Sequence, residues 1–152
     1  MIRYESTTTI ARGPDEIFSW LVEPDRMTQW TGMSDGSWLT DGPPRAGSRA
    51  QATMRFGPLR RQFRWEITDL VPGRRVAFRA LPHGPMTWTS SYELEPNGGE
   101  TVVTTKGEAS PNGLLRLLHP MIRAELPKEE AQELVRLKAL LEGPGGTTDA
   151  GR

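Results

Sequence analysis

The chain has 152 residues, 19 Lys plus Arg against 19 Asp plus Glu, and no cysteine. That length suits one domain with a real core. The balanced charge removes any global argument for a nucleic-acid or membrane partner, and the missing thiols exclude disulfides, thiol catalysis and zinc ribbons.

In chain order, Ile2, Tyr4, Ser6, Thr8 and Ile10 alternate with Arg3, Glu5, Thr7 and Thr9, which predicts a first strand. Gly13-Pro14-Asp15-Glu16 opens a short helix with Pro in the first turn and two acids facing the helix dipole. Ile17, Phe18, Leu21 and Val22 stripe it, and Pro24-Asp25 restarts a second short helix through Met27 and Trp30. Residues 33–39 read as a weaker strand, closed by the loop Asp41-Gly42-Pro43-Pro44. Strands follow at 48–56, 61–71 and around Val76, Phe78 and Ala80, separated by Gly57-Pro58 and Pro72-Gly73. Residues 86–95 and 100–109 form a hairpin across Pro96-Asn97-Gly98-Gly99. Turns this short make the meander antiparallel.

Ser110-Pro111 reads as an N-cap and first turn, beginning a helical segment over residues 110–142. Leu114, Leu117, Leu118, Met121 and Ile122 stripe its first part, and Leu134, Leu137 and Leu141 resume the stripe. The expectation is a kink near Pro120 and a stronger break at Pro127, with Lys128-Glu129-Glu130 opening a fresh helix. Residues 143–152 read as a disordered tail after a single domain spanning 1–142. The fold class is α+β, a curved antiparallel sheet of about seven strands around one long C-terminal helix.

Charge is uneven along the chain. Residues 1–42 hold three basic and seven acidic side chains, whereas residues 45–79 hold nine Arg against Glu66 and Asp69. Such a stripe is read first as the solvated face of a sheet, and second as a docking surface for an anionic partner. The N-terminus is charged early and no apolar run reaches the roughly 18 residues of a membrane span. A soluble, cytoplasmic protein without membrane insertion is expected.

Several motifs carry a resemblance. Thr8-Thr9-Ile10-Ala11 leading into Pro14-Asp15-Glu16-Ile17-Phe18 looks like one family's strand-to-helix entry, and Pro24-Asp25-Arg26 through Trp30 like its second short helix. Glu66 through Val76 resembles its central strand and turn. Tyr92-Glu93-Leu94-Glu95-Pro96 with Thr101-Val102-Val103 resembles its last hairpin, and Leu137 through Glu142 its terminal helix end. Over residues 2–142 the chain resembles the START-like (SRPBCC) helix-grip superfamily. Within it, the chain is most similar to the bacterial polyketide cyclase/dehydrase and lipid-transport group.

The resemblance implies an apolar cavity between sheet and helix. The strand phases place Met54, Phe56, Phe63, Trp65, Phe78, Met86, Trp88, Ser90 and Tyr92 on its sheet side. The helical stripe places Leu118, Met121 and Ile122 on the other side. Trp30 is expected to anchor the helix-to-strand corner and Trp20 to line the mouth. His119, Tyr92 and Ser90 are the candidate proton-transfer groups, His83 reads as a surface residue, and Glu66 should face outward. Two His and no Cys make no metal cluster, and no cofactor is implied. The expected function is binding or transport of a small hydrophobic molecule (a lipid, quinone or polyketide-like ring). A cyclase/dehydratase-type enzyme is the alternative, and an interaction module using the Arg-rich sheet surface, with chaperone activators in the superfamily as precedent, the second alternative. A homodimer through a strand edge or the helix surface is compatible with each.

Overall fold

A computed structural model describes residues 1–56 and 58–143, without the side chain of Phe56. The Gly57 turn and the tail expected over 144–152 lie outside the described residues. The elements are β1 (Ile2–Ile10), α1 (Pro14–Val22), α2 (Pro24–Met27), β2 (Met33–Trp38), β3 (Arg49–Phe56), β4 (Leu59–Val71), β5 (Arg75–Ala80), β6 (Met86–Asn97) and β7 (Glu100–Pro111). A 3-10 turn (Gly113–Leu118) then leads into α3 (His119–Glu142).

The seven strands form one antiparallel, curved sheet in the order β1-β7-β6-β5-β4-β3-β2. Helices α1 and α2 carry the chain from β1 at one edge to β2 at the other. The concave face is built by alternation: Phe63, Trp65 and Ile67 on β4, Tyr92 and Leu94 on β6, and Val103 on β7 are all buried. On β5 the alternation fails, and Val76, Ala77 and Phe78 are buried in succession. The register with β4 shifts there between Ile67 and Asp69, a bulge that turns the local strand faces. In β2, the α-carbon of Gly36 sits against the Pro24 carbonyl, so a Cβ there would come within 2.2 Å of that oxygen. This contact seats α2 on the sheet. Trp30, 1% exposed, closes the same corner, its indole N–H donating to the Trp20 carbonyl at 3.0 Å.

The C-terminal segment departs from the sequence reading in three ways. Ser110 and Pro111 do not cap a helix; they finish β7, opposite Thr87 and Met86. The Asn112 side chain follows, donating to the Gly84 carbonyl and the Thr87 hydroxyl. Residues 113–118 then form a 3-10 turn, in which i and i+3 eclipse. That winding buries Leu115 and leaves Leu114 66% and Leu117 81% exposed. The stripe assumed for an α-helix therefore does not form.

The change of helix type falls at His119, with Pro120 in the first turn of α3, where its missing amide would be unpaired in any residue. The expected break at Pro127 does not occur, and α3 runs as one helix through it. Pro127 deprives only the Arg123 carbonyl of a helical donor. Arg123 is exposed, so water can serve that group.

Helix α3 packs most closely on β1. Leu134, Leu137 and Leu141 are buried there. The Lys138 ammonium donates to the Thr9 carbonyl at 2.5 Å, and the Ala11 amide donates to the Glu142 carboxylate. Burial works against ionisation of Glu142, but the Ala11 amide and the Lys138 ammonium outweigh it and hold this carboxyl below its usual range. Anchored along β1, the helix leaves a gap over the central strands. No helix among the described residues is long and apolar enough to cross a membrane.

Candidate functional site: a cavity under the C-terminal helix

The gap is a cavity of about 120 Å³. Every strand except β7 contributes a large side chain or a hydroxyl to it. They are Tyr4 (β1), Met33 (β2), Met54 (β3), Phe63 and Trp65 (β4), Phe78 (β5), and Met86, Trp88, Ser90 and Tyr92 (β6). From β7 only Ala109 reaches it, and Met27 and Thr31 close one side. Eight of the residues expected from strand phase are thus brought together. The Phe56 side chain, also expected, lies outside the described ones.

The helix-side expectations are corrected. Leu118, Met121 and Ile122 do not line the cavity. Met121 is 48% exposed, Leu118 is half-buried against the core, and Ile122 is buried within it. His119 is half-buried at the start of α3, away from the lining, so its proposed proton-transfer role has no geometric basis. The cause is the 3-10 turn, which resets the phase before α3 begins. Trp20 also stands off the lining, its ring carrying the Arg26 guanidinium 4.9 Å above it. His83 is exposed in a turn with φ +68°. Glu66 faces the outer side, where Arg49 and Arg79 flank it at 3.7 and 3.3 Å. Asp69 and Glu93 similarly share Arg75, so part of the cationic stripe is neutralised on the sheet surface.

The groups that α3 does present are Leu126, Glu130 and Glu133. Sequence reasoning missed both acids, although a signal existed. Extending the stripe of Leu141, Leu137 and Leu134 backward at helical spacing reaches Glu133, Glu130, Leu126 and Ile122. Polarity disguised two core-facing positions as solvent-facing ones.

Glu133 is 5% exposed. Burial and the charges of Glu130 and Glu129 hold its carboxyl well above the usual range, while Arg136 and the Gly32 amide reverse this only in part. Burial and the Glu129 charge push the Glu130 carboxyl up to about 7. Glu130 has no hydrogen-bond or ion-pair partner among the described residues. Arg136, whose charge favours ionisation of Glu133, is engaged elsewhere. Its guanidinium donates to the Trp30 carbonyl at 3.1 Å and to Glu129 at 2.6 Å.

Opposite these acids, one row crosses the sheet. Gly107 lies between Tyr4 on β1 and Ser90 on β6. The Tyr4 phenol passes over the bare α-carbon of Gly107 to hydrogen-bond Ser90, and a Cβ at position 107 would stand 2.2 Å from the phenol oxygen. Burial, then the Glu130 charge, raises the Tyr4 phenol well above its ordinary range. Tyr92 is buried among aromatic rings, edge-on to Trp30 and Phe78 at 6.1 and 6.3 Å. Burial and the two acids raise its phenol too. Trp65 and Trp88 meet at 6.3 Å with a 51° tilt, forming an aromatic wall.

The chemistry available is that of an apolar chamber with two carboxyls, two phenols and the hydroxyls of Ser90 and Thr31, and with no Lys, Arg or His among the described residues of its lining. Among the described residues no cluster of His, Asp and Glu is arranged to hold a metal ion.

Comparison with known proteins agrees with this architecture. The family model for polyketide cyclase/dehydrase and lipid transport matches residues 1–142. No curated protein matches the chain in sequence. Among solved structures, TTHA0849 from Thermus thermophilus superposes with a TM-score of 0.74 at 12% identity, over 90% of this chain and 94% of that one. The Aha1 dimer from Colwellia psychrerythraea gives 0.66 at 23% identity, covering 97% and 99%. The di-domain aromatase/cyclase StfQ of the steffimycin pathway gives 0.71 at 14% identity, covering 96% of this chain and 52% of that one.

Proposed function

The chain belongs to the polyketide cyclase/dehydrase and lipid-transport family, and from that premise we propose that it binds one small, ring-shaped hydrophobic molecule between the sheet and α3. The observation that carries this reading is the cavity itself, walled by Phe63, Trp65, Phe78, Trp88 and four methionines. Its size narrows the ligand class. An apolar protein cavity of roughly 150 Å³ takes a benzene ring, so about 120 Å³ encloses one ring at most. A long lipid or a fused polyketide would have to extend through the mouth or displace α3.

Native mass spectrometry of freshly purified protein, followed by denaturation and identification of what is released, tests the reading. A stoichiometric apolar companion supports it. A bare mass together with unchanged Trp fluorescence on titration with small ring compounds would sink it.

A second reading is supported by one observation. Glu130, with its carboxyl pushed up to about 7, is suited to give and take protons near neutral pH at the wall of an apolar chamber. In that reading the chain is a cyclase/dehydratase-type enzyme, with Glu130, Tyr4, Tyr92 and Ser90 as the proton-handling groups. Loss of turnover in Glu130→Gln with ligand affinity retained separates it from a carrier.

A further inference from the structure

The two acids of α3 restrict what the chamber accepts. Of the hydroxyls that reach the cavity, those of Tyr4, Ser90 and Thr31 are already engaged. The Tyr4 phenol and the Ser90 hydroxyl bond each other, the Tyr92 phenol is packed edge-on among Trp30 and Phe78, and Thr31 donates to the Met27 carbonyl at 2.7 Å. The groups left over that can carry charge are the two carboxyls of α3. Among the described residues Glu130 has no hydrogen-bond or ion-pair partner, and Glu133 has the Gly32 amide and the field of Arg136. An acid pair held against an apolar cavity without a cation, Glu133 buried and Glu130 half-buried, costs the fold stability, and such pairs cluster at sites of function.

An anionic guest would be repelled by both acids. A neutral ketone would accept a hydrogen bond from one protonated carboxyl and leave the other idle. An ammonium group carries donors only, two or three of them, and so serves two carboxylates at once. The rings of Trp65, Trp88 and Phe78, which also line the cavity, offer apolar surface to the ring that carries the ammonium.

We propose that the cavity is an amine site, receiving a primary or secondary ammonium carried on a single ring, with Glu130 and Glu133 as its acceptors. The inference rests on the ligand-binding reading above and specifies the class of ligand. On binding, the carboxyl protons leave for solvent and the ammonium keeps its own. The groups that set this equilibrium are Glu129, Glu133 and Arg136 on α3, Tyr4 on β1 and Tyr92 on β6.

Three probes of one shape test it: 2-phenylethylamine, 2-phenylethanol and phenylacetate. Each is titrated against the full chain by Trp fluorescence, and by calorimetry in buffers of different ionisation enthalpy. The amine should bind at least about tenfold tighter than the alcohol, the worth of one charge-assisted hydrogen bond, and phenylacetate should bind weakest. Proton release should accompany the amine alone. Its affinity should rise from pH 6 to 8 as Glu130 ionises, since an alkylammonium stays charged to about pH 9. Glu130→Gln and Glu133→Gln, both near-isosteric, should each reduce the preference for amine over alcohol. An amine no tighter than the alcohol, or a preference surviving in both variants, overturns the inference while alcohol binding leaves the ligand-binding reading standing. Failure of all three probes to bind overturns both.

Discussion

Position 107 shows how a single missing methyl group shapes the site. β7 is an interior strand, where glycine forfeits packing and backbone entropy, yet Gly107 is where the Tyr4 ring crosses to Ser90. A Cβ would meet the phenol at 2.2 and 2.4 Å and the Thr89 carbonyl at 2.7 Å. Gly107→Ala should therefore displace Tyr4 and destabilise the fold by about 1–3 kcal/mol, the usual cost of overpacking. Urea denaturation measures it. Combining it with Tyr4→Ala should relieve only part of the loss, because the Thr89 carbonyl remains. An unchanged midpoint would mean the phenol does not lie across this strand. Nothing in the sequence around Lys106-Gly107-Glu108 marks this role, because the glycine answers a residue about a hundred positions away. Trp65 and Trp88 were legible for the opposite reason: each alternates with polar neighbours on its own strand, and alternation is a local signal.

At the level of one element, α3 carries the largest disagreement between pattern and packing. Its inner stripe runs Ile122, Leu126, Glu130, Glu133, Leu137 and Leu141, passing through Pro127 without a break. The sequence reading recovered the leucines at the far end and lost the middle, because charge and proline both argue locally against a buried helical face. Pro127→Ala should restore the missing amide and raise stability, by up to about 3 kcal/mol on helix propensity; a lower melting temperature would indicate that the proline sets a geometry the packing needs. The two acids impose a pH dependence of definite sign. Glu130 binds its proton more tightly in the folded chain than in the unfolded one, where the carboxyl titrates at 4.5. Stability should fall as pH rises from about 4.5 to 7, by on the order of a few kcal/mol, and Glu133 should extend the fall upward. Glu142 acts in the opposite sense. Its carboxyl is held low, so its contribution is present above pH 4.5 and is lost as the solution becomes more acid. The melting temperature should peak near about pH 5, and the double substitution Glu130→Gln with Glu133→Gln should flatten the alkaline side only. A flat wild-type profile between pH 5 and 8 would refute the raised carboxyls of these acids.

Taken whole, the molecule is a sheet whose covering helix is fastened at one end. The C-terminal half of α3 is held to β1 by Leu134, Leu137 and Leu141, by Lys138 on the Thr9 carbonyl, and by the Ala11 amide on Glu142. The N-terminal half has Ile122 in the core and Leu126 over the cavity, with Met121 exposed and the outward-facing 3-10 turn preceding it. Strand order, hairpins and the single covering helix were legible because each rests on short-range periodicity and turn residues. The asymmetry of attachment was not, since it depends on contacts between the two ends of the chain. Local opening should follow it, because segments with fewer buried contacts exchange first. Amides of residues 131–142 should therefore exchange with solvent more slowly than those of residues 119–126. A cavity ligand at about a hundredfold its Kd stabilises the bound state by about 2.7 kcal/mol. That stabilisation should appear as added protection mainly in residues 119–130, where the covering helix crosses the cavity with few other contacts. Hydrogen exchange read by mass spectrometry decides it: uniform protection along α3, or slower exchange in its first half, would mean that the helix closes the chamber as one rigid piece and that ligands enter from the strand side instead.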